Sequence, residues 1–174
     1  KIGQLWWGML RFYDEKFKSW PDLKTIEVEN INSDVAYEFT KALQPDIIIV
    51  SGTRLVKKKM FTLAPGIGII NLHTGLSPYV KGGPNCTNWC IATNQFHLIG
   101  NTIMWLDAGI DSGNIITTEC TVLDAEDNLE TVHLKVMEHA HELYCRAIQH
   151  LAEGKRNNVS QASISTGNTY YNKQ

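Results

Sequence analysis

The side chains with the clearest chemical potential lie in two short stretches of the sequence. Asn71 and His73 end an isoleucine-rich apolar run, and Asp111 stands between Gly109 and Gly113. Because successive side chains of a strand point to opposite faces, Asn71 and His73 leave an extended segment on the same side. An amide donor, an imidazole and a carboxylate together suit a reaction that forms a transient oxyanion and moves a proton. These three residues are the candidate catalytic groups.

Each of the three also has an ordinary structural interpretation. Asn71 and His73 could be hydrogen-bonded polar groups at the end of a strand, and Asp111 could be a turn aspartate. Taken one at a time, these interpretations are the more common ones. Their joint occurrence, in this order and with a glycine-bracketed turn around the carboxylate, favours a functional site.

The flanking sequence predicts the elements that would position these groups. Residues 46–52 and 67–73 have the composition of buried strands, and 57–64 between them suits a short helix, which makes a parallel crossover unit. Residues 100–106 and 114–122 look like strands joined by the loop that carries the carboxylate. We therefore predict a single α/β domain, Rossmann-like and three-layered, with a mostly parallel sheet and an antiparallel portion.

A long helix and a polar tail are predicted to follow the strands. Apolar residues recur at helical spacing from Leu129 onward, with Asp127 and Glu130 as a capping pair and Gly154 as the stop. Residues 1–154 are then the catalytic domain. The tail, 155–174, is rich in Asn, Ser and Gln and is expected to pack poorly.

An unusually aromatic helix is predicted for residues 5–20, which end before Pro21. The main interpretation is a helix that packs on the domain. A dimer contact or a helix that lines the substrate site are the alternatives that its many aromatic residues leave open.

Composition excludes several other classes of function. The 174 residues include 16 basic and 18 acidic ones, a net charge of −2, so nothing in the bulk charge favours nucleic acid or a membrane as partner. No apolar run approaches the roughly 20 residues of a membrane helix. The four cysteines and the histidines of the long helix lack metal-ligand spacing, so no metal is predicted and plain thiols in a reducing cytoplasm are expected.

Several motifs are similar to those of the folate-dependent formyltransferases, the family of glycinamide ribonucleotide, methionyl-tRNA and sugar N-formyltransferases. The similarity spans roughly residues 33–125. Relatives commonly have a leucine where this chain has Ser77, before the proline. The motifs, in family order, are Asn71-x-His73, Leu76-Ser77-Pro78, Tyr79-Val80-Lys81-Gly82, Gly100-x-Thr102 and Asp111-Ser112-Gly113.

The side-chain chemistry predicts that Asn71 and His73 stabilise the tetrahedral oxyanion and that His73 and Asp111 handle the proton. The resemblance implies that these three residues are catalytic, that 10-formyltetrahydrofolate is the formyl donor, and that no metal takes part. It also implies that the pterin lies against the backbone of two loops. Those cofactor-binding residues are Thr53, Arg54, Leu55 and Val56 in the first loop, and Leu106, Asp107 and Ala108 in the second.

The acceptor is less well specified by the resemblance. The segment 50–58 and the residues around His73 look more like the sugar-modifying branch, so a nucleotide-linked amino sugar is the favoured amine, with glycinamide ribonucleotide next. The roughly 20 residues after Gly154 are too few for a tRNA-binding domain. We expect this chain to lack the usual amino-terminal strand–helix–strand of relatives, and a homodimer is one alternative for its assembly.

Two other functions stay open at this point. A formyltetrahydrofolate hydrolase would use the same three residues with water in place of the amine. An inactive folate-binding or interaction domain would keep the fold without turnover.

Overall fold

The computed structural model describes residues 2–19, 21–83 and 85–171, without the side chains of Ile2 and Leu5. Lys1, Trp20 and residues 172–174, which the predicted helix, domain and tail included, lie outside the described residues. The elements, in chain order, are α1 (Ile2–Lys16), α2 (Asp34–Leu43), β1 (Ile47–Val50), α3 (Lys58–Phe61), β2 (Gly68–His73), β3 (Val80–Gly82), α4 (Cys86–Ala92), β4 (Gly100–Trp105), β5 (Ile115–Cys120), α5 (Leu129–Ala152) and β6 (Asn168–Tyr170).

The main sheet has the strand order β1-β2-β4-β5, and β3 pairs with β6 in a separate ribbon. β1 runs parallel to β2, with Val50 opposite Asn71. β4 runs antiparallel to both β2 and β5, with Thr102 opposite His73. The predicted Rossmann-like α/β class is confirmed. The antiparallel portion of the described sheet is larger than the sequence predicted. β4 pairs antiparallel with β2 as well as with β5, whereas β3, which follows β2 in the chain, pairs with β6 outside this sheet.

The core lies between this sheet and α5. Ile70 and Ile103 on the sheet are fully buried against one face of the helix, which contributes Ala140, Leu143 and Leu151. The opposite face of the sheet carries Ile48 and Ile69 beneath α3, whose Met60 is buried. Helices therefore cover both faces, as predicted. No helix in the described part of the chain is long and apolar enough to cross a bilayer.

The start of α5 differs by one residue from the prediction. Asn128, not Asp127, is the N-cap: its side chain accepts from the backbone N–H groups of Glu130 and Thr131, and the Thr131 hydroxyl accepts from the N–H of Asn128. The predicted pairing of Asp127 with Glu130 is therefore wrong. Gly154 follows the helix with a φ of 82°, which confirms the predicted stop.

The amino-terminal helix α1 packs along α5. The ring of Tyr13 meets the edge of His141 at 5.7 Å, and Lys16 pairs with Glu138 at 2.8 Å. Met9 is buried, whereas Trp6 is 53% exposed. The predicted packing helix is confirmed, but it ends at Lys16 instead of continuing to the residues before Pro21. Its exposed Trp6 lines a cavity of the site described below.

Most side chains of the described carboxyl-terminal segment, 155–171, are exposed or half-buried, as the predicted polar tail implies, but its backbone is tied to the domain at several points. Val159 exchanges two backbone hydrogen bonds with Ile115 of β5. Gln161 is only 5% exposed. Tyr170 of β6 stacks on Trp89 of α4 with the ring centroids 4.7 Å apart. Backbone pairing and one buried amide hold the segment despite its polar composition.

Candidate active site

The structure brings the three predicted catalytic side chains together at the carboxyl end of β2. Asp111 Oδ2 lies 3.3 Å from Nδ1 of His73, and Asp111 Oδ1 lies 3.5 Å from Nδ2 of Asn71, which is a long contact. His73 is 7% exposed and the Asp111 side chain 16% exposed. The carboxylate is thus partly shielded from water and keeps an open side toward the cavities around it.

The loop from β4 to β5 is shaped by short-range contacts that place Asp111. The Asp107 carboxylate accepts hydrogen bonds from the N–H of Gly109, at 3.0 Å, and from the hydroxyl of Ser112, at 2.8 Å. A Cβ on Gly113 would lie 1.7 Å from the carbonyl oxygen of Trp105, so only glycine fits there. Asp111 itself has a φ of 47°, a left-handed conformation that aspartate tolerates better than most residues.

Sequence reasoning missed a backbone group that binds this carboxylate. The N–H of Gly82, at the end of β3, donates to Asp111 Oδ2 at 2.9 Å. Gly82 has a φ of 87°, and a Cβ there would lie 2.0 Å from the carbonyl oxygen of Tyr170. The paired glycines at 82 and 83 were the available signal, but they do not show which group their backbone meets.

Both nitrogens of the His73 ring face a partner. Nε2 lies 3.0 Å from the carbonyl oxygen of Val80, and since a carbonyl only accepts, that nitrogen carries a hydrogen. Nδ1 then faces the Asp111 carboxylate. A hydrogen on Nδ1, or on the carboxyl group, makes this contact a hydrogen bond.

The buried Cys86 lies behind the same ring, with its sulfur 3.7 Å from Nε2 of His73. Burial, with help from the nearby Asp111 charge, raises the pKa of the Cys86 thiol to about 12. The thiol is neutral near pH 7 and serves as packing for the imidazole.

One cavity, of about 300 Å³, opens on the β4–β5 loop side of Asp111. It is bounded by the loop after β1 and by the loop before Asp111, the two segments predicted for the pterin. Six of the seven predicted folate residues line it: Thr53, Arg54, Leu55, Val56, Leu106 and Asp107. Ala108 is exposed in the same loop but is not among the lining residues. We call this space the loop-side cavity.

A second cavity, of about 350 Å³, opens on the other side of the same groups and is bounded by α1, α4 and α5. We call it the helix-side cavity. Asn71, Asp111, Thr53 and Gly82 line both cavities. The remaining side chains are uncharged or aromatic and include Trp6, Met9, Asn85, Thr87, His133 and Met137.

His133 is the titratable group that α5 presents to the helix-side cavity. Its Nε2 lies 2.9 Å from Oδ1 of Asn88, so the hydrogen is on Nε2 and Nδ1 is an acceptor. Burial lowers the pKa of His133, which keeps the ring neutral near pH 7.

Among the described residues, no group of three or more His, Cys, Asp or Glu side chains could hold a metal ion.

Comparison with known proteins shows the family of this chain. The model of a family described as formyl transferase matches residues 22–148. The methionyl-tRNA formyltransferase of Clostridium tetani is 32% identical over 76% of this chain and 42% of its own length. The chain thus spans about two fifths of the curated relatives it matches.

Two solved structures share the fold. Phosphoribosylglycinamide formyltransferase from Bacillus halodurans superposes with a TM-score of 0.62 and 30% identity, over 71% of this chain and 62% of that one. The formyltransferase PseJ from Anoxybacillus kamchatkensis, in complex with a UDP-linked formamido sugar and tetrahydrofolate, gives 0.62 and 22% identity, over 92% and 79%.

Proposed function

Because this chain belongs to the formyl transferase family, we propose that it transfers a formyl group from 10-formyltetrahydrofolate to a primary amine. The observation that carries the proposal is the meeting of Asn71, His73 and Asp111, of which Asn71 and Asp111 line both cavities and His73 lines the helix-side cavity. A donor in one cavity and an acceptor in the other would place the reacting atoms against these groups.

The loop-side cavity is the site we assign to the folate donor. Its lining by the two predicted pterin loops supports the assignment. Tetrahydrofolate is also present in the PseJ complex of similar fold. Edge groups of a pterin can be read by backbone N–H and C=O groups, which explains why the side chains of these loops are chemically varied.

Asn71 supplies the neutral donor for the oxyanion. When the amine attacks the formyl carbon, the carbonyl oxygen becomes negative, and the Nδ2 hydrogens of Asn71 can stabilise it. A neutral amide suits this task because it donates at any working pH. Loss of one such donor typically lowers kcat by about 100- to 1000-fold.

Asp111 and His73 handle the proton. The attacking amine loses a proton as its nitrogen bonds to carbon, and the folate nitrogen gains one as its bond to carbon breaks, leaving tetrahydrofolate. Asp111 faces both cavities and can carry that proton across. Because Nε2 of His73 is engaged with Val80, the geometry favours a part for His73 through Asp111 over the part of second oxyanion donor.

An amino sugar on a nucleotide carrier is the acceptor we favour for the helix-side cavity. Hydroxyl, amide and neutral imidazole groups, from Thr87, Asn85 and His133, can exchange hydrogen bonds with a hydroxyl-rich ring. Trp6 offers an exposed indole face on which such a ring can lie. No lysine or arginine occurs among the described residues that line this space.

The test is the release of tetrahydrofolate from 10-formyltetrahydrofolate, followed by absorbance. The acceptors are a panel of UDP- and dTDP-linked amino sugars, glycinamide ribonucleotide and buffer alone. Asp111→Asn is compared with Asp46→Asn, the same change at an exposed site outside both cavities. We expect turnover with an amino sugar, loss of turnover in Asp111→Asn, and wild-type rates in Asp46→Asn.

Other outcomes separate the alternatives. Turnover with glycinamide ribonucleotide alone would keep the transferase and replace the acceptor. Formate released without any amine would identify a hydrolase. Folate binding without turnover of any acceptor would leave a binding domain and contradict the proposed activity.

A further inference from the structure

Gln161 connects the carboxyl-terminal segment to the loop that carries Asp111. Its side-chain Nε2 donates to the carbonyl oxygen of Asp111 at 2.8 Å and to that of Gly113 at 2.7 Å. Gln161 is 5% exposed, and its Oε1 is buried without a hydrogen-bond partner among the described residues. The two hydrogen bonds that the Gln161 amide donates therefore fix its position, and both go to the turn that carries Asp111.

The turn at Asp111 requires contacts that stabilise its backbone conformation. Asp111 has a φ of 47°, a conformation that costs a non-glycine residue free energy and persists only where surrounding contacts fix it. The outer part of the turn is held by the exposed contacts of Asp107 with Gly109 and Ser112, and Ile110 between them is 49% exposed. Two short hydrogen bonds from a buried amide supply the constraint from the inner side.

The same carboxyl-terminal segment also reaches the other support of the carboxylate. β6 runs parallel to β3, and the N–H of Gly83 donates to the carbonyl oxygen of Tyr170 at 3.1 Å. The neighbouring Gly82 donates its N–H to Asp111 Oδ2. The two groups that locate Asp111, the Gly82 N–H and the Gln161 amide, are thus both tied to residues 161–170.

We propose that Gln161 is a positioning residue that fixes the Asp111 carboxylate between Asn71 and His73. Its catalytic consequence rests on the proposed function, whereas its effect on the position of Asp111 does not. Without the amide, the turn relaxes toward ordinary φ values and the carboxylate leaves the Gly82 N–H.

The first test follows amide hydrogen exchange by NMR in Gln161→Met, which keeps the length of the side chain and removes both donors. Exchange at Gly82 reports the bond to Asp111, and exchange at Gly83 reports whether β6 stays on β3. We expect Gly82 to exchange about tenfold faster or more, with Gly83 unchanged. Gln161→Asn, too short by one methylene to reach both carbonyls, replaces Gln161→Met if the latter does not fold.

The matched control is Asn157→Leu. The Asn157 side chain also ties the carboxyl-terminal segment to the sheet, through Nδ2 and the carbonyl oxygen of Ile116 at 3.2 Å, but it does not touch the Asp111 turn. In this variant the backbone N–H groups of Gly82 and Gly83 should exchange at the wild-type rates. Unchanged exchange at Gly82 in Gln161→Met would overturn the proposal. Faster exchange at Gly82 and Gly83 together would also overturn it, because Gln161 would then only attach β6.

A second readout uses the formyl transfer itself. A displaced carboxylate should lower kcat by about 10- to 100-fold in Gln161→Met, with KM values within about twofold of the wild type. Asn157→Leu should retain kcat. If wild-type protein turns over no acceptor but Gly82 exchanges faster in Gln161→Met, the proposed function fails and the positioning of Asp111 by Gln161 stands.

Discussion

The hydroxyl of Tyr144 joins the end of β1 to the middle of β2, and its removal gives a sharp test of the structure. From the buried face of α5 this hydroxyl lies 3.1 Å from the N–H nitrogen of Val50, 3.0 Å from the carbonyl oxygen of Val50 and 3.0 Å from that of Ile70. Burial raises the pKa of Tyr144 above its ordinary value, so the group remains a neutral hydroxyl at any pH used for the assay.

The expected cost of Tyr144→Phe can be worked out from these contacts. The ring stays in place, so no cavity opens and packing is retained. What is lost is the acceptor for the Val50 N–H and one hydroxyl hydrogen, which lies between the carbonyl oxygens of Val50 and Ile70. A buried polar group without a partner costs about 1–3 kcal/mol, so we expect a loss of about 2 kcal/mol in the free energy of unfolding. For a chain of this length that lowers Tm by about 4–8 °C.

Urea unfolding followed by circular dichroism measures this loss, and the m-value should not change. Tyr37→Phe is the matched control: its hydroxyl also bonds one neighbour, Thr62 Oγ1 at 3.1 Å, but in an exposed setting. Its stability should stay within about 0.5 kcal/mol of the wild type. Equal stability of the Tyr144→Phe variant and the Tyr37→Phe control would refute the reasoning, because burial would then not decide the cost.

Three further outcomes follow from groups near the site. Burial lowers the pKa of His133 in the folded protein, so the stabilising contribution of the neutral ring is complete above about pH 6.5 and is lost as the pH falls through the lowered folded value. The Tm of His133→Gln should therefore drop less on acidification than the Tm of the wild type. Equal slopes of Tm against pH in the two proteins would contradict this. Because burial raises the pKa of Cys86 to about 12, while Cys120 is exposed, a thiol reagent at about pH 8 should label Cys120 in the native chain and leave Cys86 unmodified, as read by mass spectrometry of a digest. Gly82→Ala should lose about 2 kcal/mol of stability or more, since its φ is 87° and its Cβ would meet a β6 carbonyl oxygen at 2.0 Å; Gly83→Ala, with open space around its Cβ, is the control, and similar losses in both would count against this account.

The groups that sequence could predict are those whose type and spacing carry the information. Asn71 and His73 are two residues apart at the end of an isoleucine-rich strand, and the glycines around Asp111 predict a turn, so the meeting of all three follows from topology. The loop with Thr53 to Val56, which lines the loop-side cavity, was predicted instead from the resemblance to the formyltransferases.

The supports of the carboxylate could not be predicted in the same way. The donor from Gly82 is a backbone N–H, which every residue except proline carries. The residue type at this position therefore does not indicate that its N–H binds a carboxylate. Gln161 lies 50 residues after Asp111, in a segment whose polar composition is typical of a loose tail. One hydrogen-bonded bridge to Ile115 and a three-residue strand fold it, and such pairing depends on distant backbone geometry.

Some errors of detail arose from patterns that fit two structures equally well. Threonine- and isoleucine-rich strands such as β4 have the same composition whether they run parallel or antiparallel to a neighbour, so the large antiparallel share was not visible. At the start of α5, Asp127 and Asn128 are both good N-cap residues, and composition alone does not distinguish them.

The shared wall between the two cavities has a kinetic consequence. Since the folate donor and the amine acceptor would lie on opposite sides of Asn71 and Asp111, both can be bound before any bond forms or breaks. The formyl group can then pass directly from the donor to the acceptor without first becoming attached to the protein. Initial rates measured at several concentrations of each substrate should then give intersecting lines in double-reciprocal plots, the pattern of a ternary complex, rather than the parallel lines of a ping-pong enzyme.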